Sequence, residues 1–521
     1  MTPHSLEPPS AVEELKLGKQ PPPRRVFAFV TAAAIAVYFY WLSRGGLRAK
    51  FSHDDLMNMY RAWLEPLSQL LKENVFFFLY PLSYRPFGGL FYHVFFELFG
   101  LHPLPYRIFL LLFLLANMYL AYAVLRRLSG SREVAVLAVL LHCYHVNFAQ
   151  LYKNTGTCYD IFCFSFYFAG LLYYLRIRQA GRFLRPIEHV GFLGLLILAL
   201  NSKEMAVTLP VLIGAYELFY HPPVSFHPRR LISWLIHEGQ AMCWGALANI
   251  AFIAGKLYPH DGVARNSGQY FVTISLASYF RSLQHDLNEV FITWSTGVFS
   301  VRNLAIILAI LMLIAWRLRL ASFKFGLAFW LVGIAPVAFI PPRNIYDIYI
   351  PLVGFSFCAA ILLVAAREAI WRGARVLTKT RTTRNTRPGF PEIRETLTFV
   401  LLLVLMGRFQ LRNGAHLTNW MDDQGKQIMA VAKDLKAQLP DPKKGAHLLF
   451  LKNPFEKAAG TEWATIFLSR LLYRDQTIDS DRLWKLDQKP NGDSLRRYDA
   501  IFTVVDDRVI RVAPSSVESQ P

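Results

Sequence analysis

Acidic residues are scarce in this chain: 36 Asp and Glu stand against 56 Lys and Arg in 521 residues, and charged residues make up only 18%. Cysteine is scarcer, with Cys143, Cys158, Cys163, Cys243 and Cys358 as the whole complement. All five lie in or beside apolar stretches, where free thiols behave as small hydrophobes, and none has metal-ligand spacing. The lack of any cysteine after Cys358 excludes disulfide staples from the C-terminal part. No Asn-x-Ser/Thr acceptor occurs, which favours a bacterial inner membrane over a secretory pathway. There is no glycine-rich phosphate loop and no internal repeat.

What is abundant is apolar surface: 54% of residues are hydrophobic and 15% aromatic. That composition excludes an ordinary soluble globule and predicts a polytopic membrane protein. Apolar runs of membrane-spanning length number about eleven, near 26–43, 104–125, 133–150, 156–175, 189–202, 204–220, 231–255, 301–316, 325–340, 348–366 and 396–411. The expected fold is an all-α polytopic membrane protein with a small α/β C-terminal extracytoplasmic domain.

The net charge of +20 falls in alternate loops, among them Arg126, Arg127 and Arg132, then Arg176 to Arg185, then Arg367 to Arg394. That is the orientation bias of membrane insertion and not a nucleic-acid surface; Arg44, Arg48 and Lys50 break the pattern, so orientation rests on the later loops. The expected organisation is a cytoplasmic segment 1–25, an uncleaved anchor as first span, a transmembrane domain 26–411 with a long outside loop 43–103, and a periplasmic domain 412–521.

Within the outside loop, Leu56, Met59, Tyr60, Trp63, Leu67, Leu70 and Leu71 recur at helical spacing, predicting one amphipathic helix flat on the bilayer. A second runs from Pro86 to Phe99. The apolar faces of both would be covered by lipid or by spans. A further amphipathic run covers Tyr279 to Val290. In the tail, a helical pattern over Asp422 to Leu439 precedes strands at His447–Lys452, Asp499–Val505 and Arg508–Val512, a helix at Thr461–Tyr473, and a turn at Asp506 and Asp507.

Ionisable residues in or beside spans cost about 2.5–3.5 kcal/mol on insertion and are functional suspects for that reason. By loop alternation the suspects share the outer face: Asp54 and Asp55, Tyr84 and Arg85, His142 and His145, Lys153 and Asp160, Lys203 and Glu204, and Arg343 with Asp347. Arginine and lysine at headgroup level suit a lipid-linked phosphate, and an aspartate within reach of a hydroxyl suits a general base. Each has a plainer use. Ser52 and Asp55 have capping-box spacing, Lys203 and Glu204 can pair with each other, Arg343 can snorkel, and two histidines three apart can be packing residues. Asp54 and Asp55 could also take Mg²⁺ or Mn²⁺ through oxygen, though two carboxylates are a sparse set.

Taken together, these residues resemble the C-type (GT-C) glycosyltransferases, in particular the transmembrane and tetratricopeptide-repeat O-mannosyltransferases and their bacterial relatives. The resemblance lies in Asp54 and Asp55 after the first span, Tyr84, Arg85 and Pro86, the pair His142 and His145, Ser202, Lys203 and Glu204 with Leu209 and Pro210, and the run Arg343 to Phe355. It implies a polyprenyl-phosphate-linked sugar donor, inversion at the sugar carbon, Asp54 as catalytic base with Asp55 as orienter or acceptor contact, and Arg85, Lys203 and Arg343 as phosphate ligands. The resemblance does not carry over the acceptor, which is a protein hydroxyl, a glycan or a lipid. The chain departs from the family at Tyr144 and Asn147, where proline and glutamate are usual, and it lacks the repeats. A transporter or flippase of a lipid-linked glycan, or a non-catalytic scaffold, are the competing classes. The first would place charges and broken half-helices at mid-bilayer.

Overall fold

The structure, a computed structural model, describes residues 25–76, 85–143, 145–257, 272–293, 298–342, 345–377, 390–455, 463–486, 490 and 492–515. Tyr84, Tyr144 and Arg343 lie outside them. The chain packs into two compact units: residues 1–42, 113–148 and 160–413 form one, and residues 43–112, 149–159 and 414–521 the other.

The first unit is helical. Among the described residues, five helices of the chain are long and apolar enough to cross a membrane: Pro103–Ser129, Thr155–Arg178, Val301–Leu318, Ala321–Ala338 and Leu352–Gly373. The eleven expected runs thus reduce to five by this measure. The helix Val301–Leu318 leaves Ile306, Ile310, Leu313 and Trp316 at least half exposed, an apolar face suited to lipid. The Thr155–Arg178 stretch is mostly buried. The helix Leu352–Leu377 packs against Ala321–Gly333 and Arg132–Cys143. Glycine allows the first of these contacts: a Cβ on Gly354 would lie 2.5 Å from the Trp330 backbone nitrogen. Small residues at such crossings let two backbones approach closely.

The expected fifth and sixth spans are the helices Pro186–Ser202 and Leu209–Tyr220, separated by Lys203 in extended conformation (φ −160°, ψ 147°) and a 3-10 turn, Glu204–Thr208. Twelve residues of helix measure about 18 Å, less than the hydrocarbon core. The break is where a charged side chain enters the unit. A second buried polar group fastens the far end of Leu209–Tyr220 to the helix Cys158–Arg178: Arg178 donates from Nε and Nη2 to Glu217 at 2.9 and 2.8 Å, and Tyr174 adds a third bond at 2.7 Å.

In the second unit the single amphipathic helix expected over Leu56 to Leu71 is two helices, His53–Leu64 and Leu67–Val75. Pro66 causes the break. Its ring forces Glu65 out of the helical region to φ −86°, ψ 132°, as the residue before a proline normally is. The helix Pro86–Phe99 forms with its expected bounds. Leu56, Met59, Tyr60, Phe91 and Phe96 are buried, but by protein and not by lipid. The His53–Leu64 helix packs against Pro86–Phe99 and against Ala464–Tyr473 of the tail, with Tyr60 stacked on Phe467 at 5.1 Å.

The tail carries a four-stranded sheet of order β2-β1-β3-β4, with β1 His447–Phe450, β2 Asp479–Arg482, β3 Ala500–Val505 and β4 Arg508–Val512. β1 pairs in parallel with β2 and β3, and β3 turns antiparallel into β4. Asp506 and Asp507 take φ of 49° and 58°, the left-handed pair that a two-residue hairpin requires and that aspartate tolerates. The helix expected from Asp422 is the C-terminal part of a 49-residue helix, Phe390–Gln438, which also contains the expected span 396–411.

Candidate functional site

The first unit and the second each hold a polar cluster, and the sequence candidates divide between them. In the second unit, Ser52 caps the His53–Leu64 helix: its hydroxyl accepts from the Asp55 N–H (3.3 Å), and its own N–H donates to Asp55 Oδ2 (2.8 Å). The capping reading of Ser52 and Asp55 therefore holds. Tyr92 donates its hydroxyl to Asp55 Oδ1 at 3.1 Å, and Arg107 Nη2 lies 3.9 Å from Oδ2. Asp55 is fully buried, with both oxygens engaged. Burial raises its carboxyl above the ordinary range, against the pull of Arg107, the Ser52 N–H and Tyr92.

Asp54, one residue earlier, differs in exposure and in partners. It is exposed, accepts no hydrogen bond among the described residues, and is lifted above its ordinary value by partial desolvation. The helix start thus separates two adjacent carboxylates into one that holds the fold and one that is free.

Arg85 stands at the N-cap of Pro86–Phe99 with φ 53° and ψ 66°, a left-handed conformation rare for a residue with a Cβ. Its guanidinium lies 5.3 Å from the centre of the Tyr159 ring. Lys153 pairs with Asp422 at 2.8 Å, and Ser52 Oγ donates to Asn154 Oδ1 at 3.4 Å. Asp54, Asp55, Arg85 and Lys153 are thus residues of one unit, with Tyr92 and Arg107 as members the sequence reading missed. Arg107 carried a usable signal, being a cation near the start of an apolar run. Tyr92 carried none, because its role depends on which carboxylate its helix faces.

Each Asp55 oxygen already accepts a hydrogen bond, and among the described residues no group of three potential metal ligands converges.

In the first unit Lys203 is the centre. Its Nζ lies 2.5 Å from both Asp160 Oδ1 and Asp347 Oδ1, and 5.4 Å from the centre of the Tyr346 ring. Its ion partners are these two aspartates; Glu204 opens the following 3-10 turn. His142 contacts the Tyr349 carbonyl through Nε2 at 2.6 Å and stacks on the Tyr349 ring. His145 accepts from the Asn147 N–H at Nδ1, so its Nε2–H donates to the Val290 carbonyl, 2.6 Å away. Both imidazoles are buried; His145 spends both nitrogens on backbone and His142 its Nε2. They tie their loop to the turn Ile345–Ile348 and to the helix Leu276–Phe291. Asn147, at the position where the family has glutamate, donates to the Glu289 carbonyl at 2.6 Å.

Comparison with known proteins adds the following. Residues 83–235 match the family model described as dolichyl-phosphate-mannose-protein mannosyltransferase. This segment holds Tyr84, Arg85, His142, His145, Lys153, Asp160, Lys203 and Glu204; Asp54, Asp55 and Arg343 fall outside it. The match supports the resemblance to C-type membrane glycosyltransferases read from the residues. Among solved structures, the chain is similar to ArnT from Cupriavidus metallidurans bound to undecaprenyl phosphate, with 15% identity, TM-score 0.44, and coverage of 95% of this chain and 99% of that one. It is likewise similar to ArnT from Cupriavidus metallidurans in the apo state, with 13% identity, TM-score 0.42 and the same coverage. No curated protein sequence matches the chain.

Proposed function

We propose that the protein is an inverting glycosyltransferase that moves a sugar from a polyprenyl-phosphate donor to an acceptor hydroxyl at the extracytoplasmic face of a membrane, with Asp54 as general base. The observation that carries this reading is the division of labour at the helix start. Asp55 is consumed by capping and by Tyr92 and Arg107, whereas Asp54 is exposed, accepts no hydrogen bond among the described residues and, like Asp55, has a raised proton affinity. A carboxylate so raised is a better base at neutral pH than an ordinary one.

In the proposed reaction Asp54 accepts the proton of the acceptor hydroxyl as its oxygen bonds to the anomeric carbon. The bond from that carbon to the donor phosphate oxygen breaks, and the lipid phosphate leaves with the electron pair. Attack opposite to the departing phosphate inverts the sugar carbon. Arg85, Lys203 and Arg343 are proposed to stabilise the leaving phosphate, a role suited to one point charge and two planar forks. A bacterial inner membrane, a cytoplasmic N-terminus and a periplasmic tail belong to the same reading, supported by the alternation of basic loops.

The test is Asp54→Asn in purified protein, supplied with a polyprenyl-phosphate-linked sugar and scored for sugar transfer or donor turnover. Transfer is expected to fall by about 10²- to 10⁴-fold, the usual contribution of a general base. Transfer at the unaltered rate would overturn the assignment.

A further inference from the structure

We propose that Asp286 is a positioning residue for the donor phosphate: as hydrogen-bond donor it receives the Asp347 carboxylate when Lys203 turns from Asp347 to a lipid phosphate. The inference rests on the function proposed above and deepens it at Lys203. As it stands, the Lys203 ammonium holds two carboxylates at 2.5 Å each, anions that occupy its donors and repel an incoming phosphate. Lys203 can hold one only if a carboxylate lets go.

Asp347 is the one placed to do so. Asp160 lies in the first turn of Cys158–Arg178, a helix largely buried in its unit. Asp347 lies on the four-residue 3-10 turn Ile345–Ile348, which packs against the helix Leu276–Phe291. That helix carries Asp286, whose Oδ2 is sealed from solvent and has no hydrogen-bond partner among the described residues. A buried, unpaired carboxyl oxygen is destabilising, and its persistence asks for a partner that arrives in another state.

The groups around Asp286 suit the role. On its own helix, Glu289 lies 3.7 Å from His285 and accepts from Asn147 at 3.4 Å, so it is already engaged. Tyr279 on the same helix donates to the Leu331 carbonyl. The turn brings Asp347 and Tyr346, the short helix Ala335–Ala338 has no titratable residue, and the helix Val301–Leu318, which also packs here, carries Arg302 and Arg317; neither of these nor Arg281 of the same helix as Asp286 is among the charges that act on it. Burial, then the Asp347 and Glu289 charges, push the Asp286 carboxyl well above its usual value, which favours its neutral, O–H-donating form. A carboxyl facing a carboxylate forms a short, strong hydrogen bond with one shared proton. No covalent bond changes in the exchange.

The experiment measures binding of undecaprenyl phosphate to detergent-purified full-length protein between about pH 7 and about pH 9. The second ionisation of a phosphate ester, near pH 6, is complete in that window. Because burial raises the Asp286 carboxyl, its proton is lost only towards alkaline pH, and the wild type is expected to bind more weakly, by about tenfold or more, at the alkaline end than at the neutral end. Asp286→Asn carries an amide that donates at any pH, and its affinity should change by less than about twofold across the same window. Asp286→Ala, with no donor, should bind weakly throughout. Thermal midpoints of all variants report on folding. A wild type without the alkaline loss, an Asn variant that loses affinity as the wild type does, or an Ala variant that binds like the wild type would each overturn the proposal. Lys203→Met binding as tightly as wild type would instead remove Lys203 from the phosphate site, a failure of the broader reading whatever Asp286 does.

Discussion

Asp54 and Asp55 show how little separates a structural from a chemical carboxylate. Consecutive residues on a helix point about 100° apart, so one turned inward to Tyr92 and Arg107 leaves its neighbour turned outward. Asp55→Asn should therefore act on stability: it weakens the cap and the bond from Tyr92 within a buried site. We expect a loss of about 1–3 kcal/mol, read as a lowered thermal midpoint. Asp54→Asn should leave that midpoint within about 0.5 kcal/mol of wild type, as exposed substitutions do, while removing transfer. The same stretch predicts a pH effect. His53 is desolvated to a pKa of about 4, against 6.5 for the free side chain, its ring edge-on to Phe455 at 4.8 Å and both nitrogens without partners. The unfolded chain thus binds the proton first, so this group costs stability as pH falls from about 6.5 to about 4, with no further loss below. His53→Phe should flatten that part of a thermal-midpoint-against-pH curve; an unchanged slope would assign the acid sensitivity elsewhere.

At the scale of elements, periodicity located the helices better than it located their ends. The helix Pro86–Phe99 and the hairpin at Asp506 and Asp507 formed as read, because proline at a helix start and two adjacent aspartates at a turn act through local sterics. The break at Pro66 was equally local, and the apolar spacing on both sides of it hid the signal. β2 was missed for a different reason. Its sequence, Asp479, Ser480, Asp481 and Arg482, has no strand propensity, and it becomes an edge strand because β1 offers a free edge. Helix contacts set by glycine are testable directly. Gly354→Val places side-chain atoms where the Trp330 backbone already lies, and overpacking of this kind costs about 1–3 kcal/mol. The expected result is a lowered thermal midpoint in detergent, with Gly354→Ala intermediate.

For the molecule as a whole, the C-terminal sheet belongs to the same compact unit as residues 43–112. Arg470 and Arg474 of its helix bind the Tyr60 hydroxyl and the Phe96 carbonyl, the latter at 2.7 Å, and Asp434 receives a bidentate contact from Arg508, with bonds of 2.6–3.0 Å. Deleting residues 439–521 would uncover Leu56, Met59 and Tyr60. We expect the truncated protein to aggregate on size-exclusion chromatography in mild detergent; a monodisperse, stable product would show that these residues find other cover.

Composition and the period of apolar residues determined by themselves that this is a helical membrane protein with a small α/β tail, because burial in lipid and the reach of a helix leave few other solutions. The residue types suited to phosphate and proton transfer were also legible, since a charge beside a span has to be explained. Which of those residues is free and which is spent was not. That Asp55 is bound while Asp54 is open, and that Lys203 is held by Asp160 and Asp347, depend on contacts between residues 37 to 144 positions apart. Such contacts exist only once the helices have packed, and no local preference of the chain encodes them.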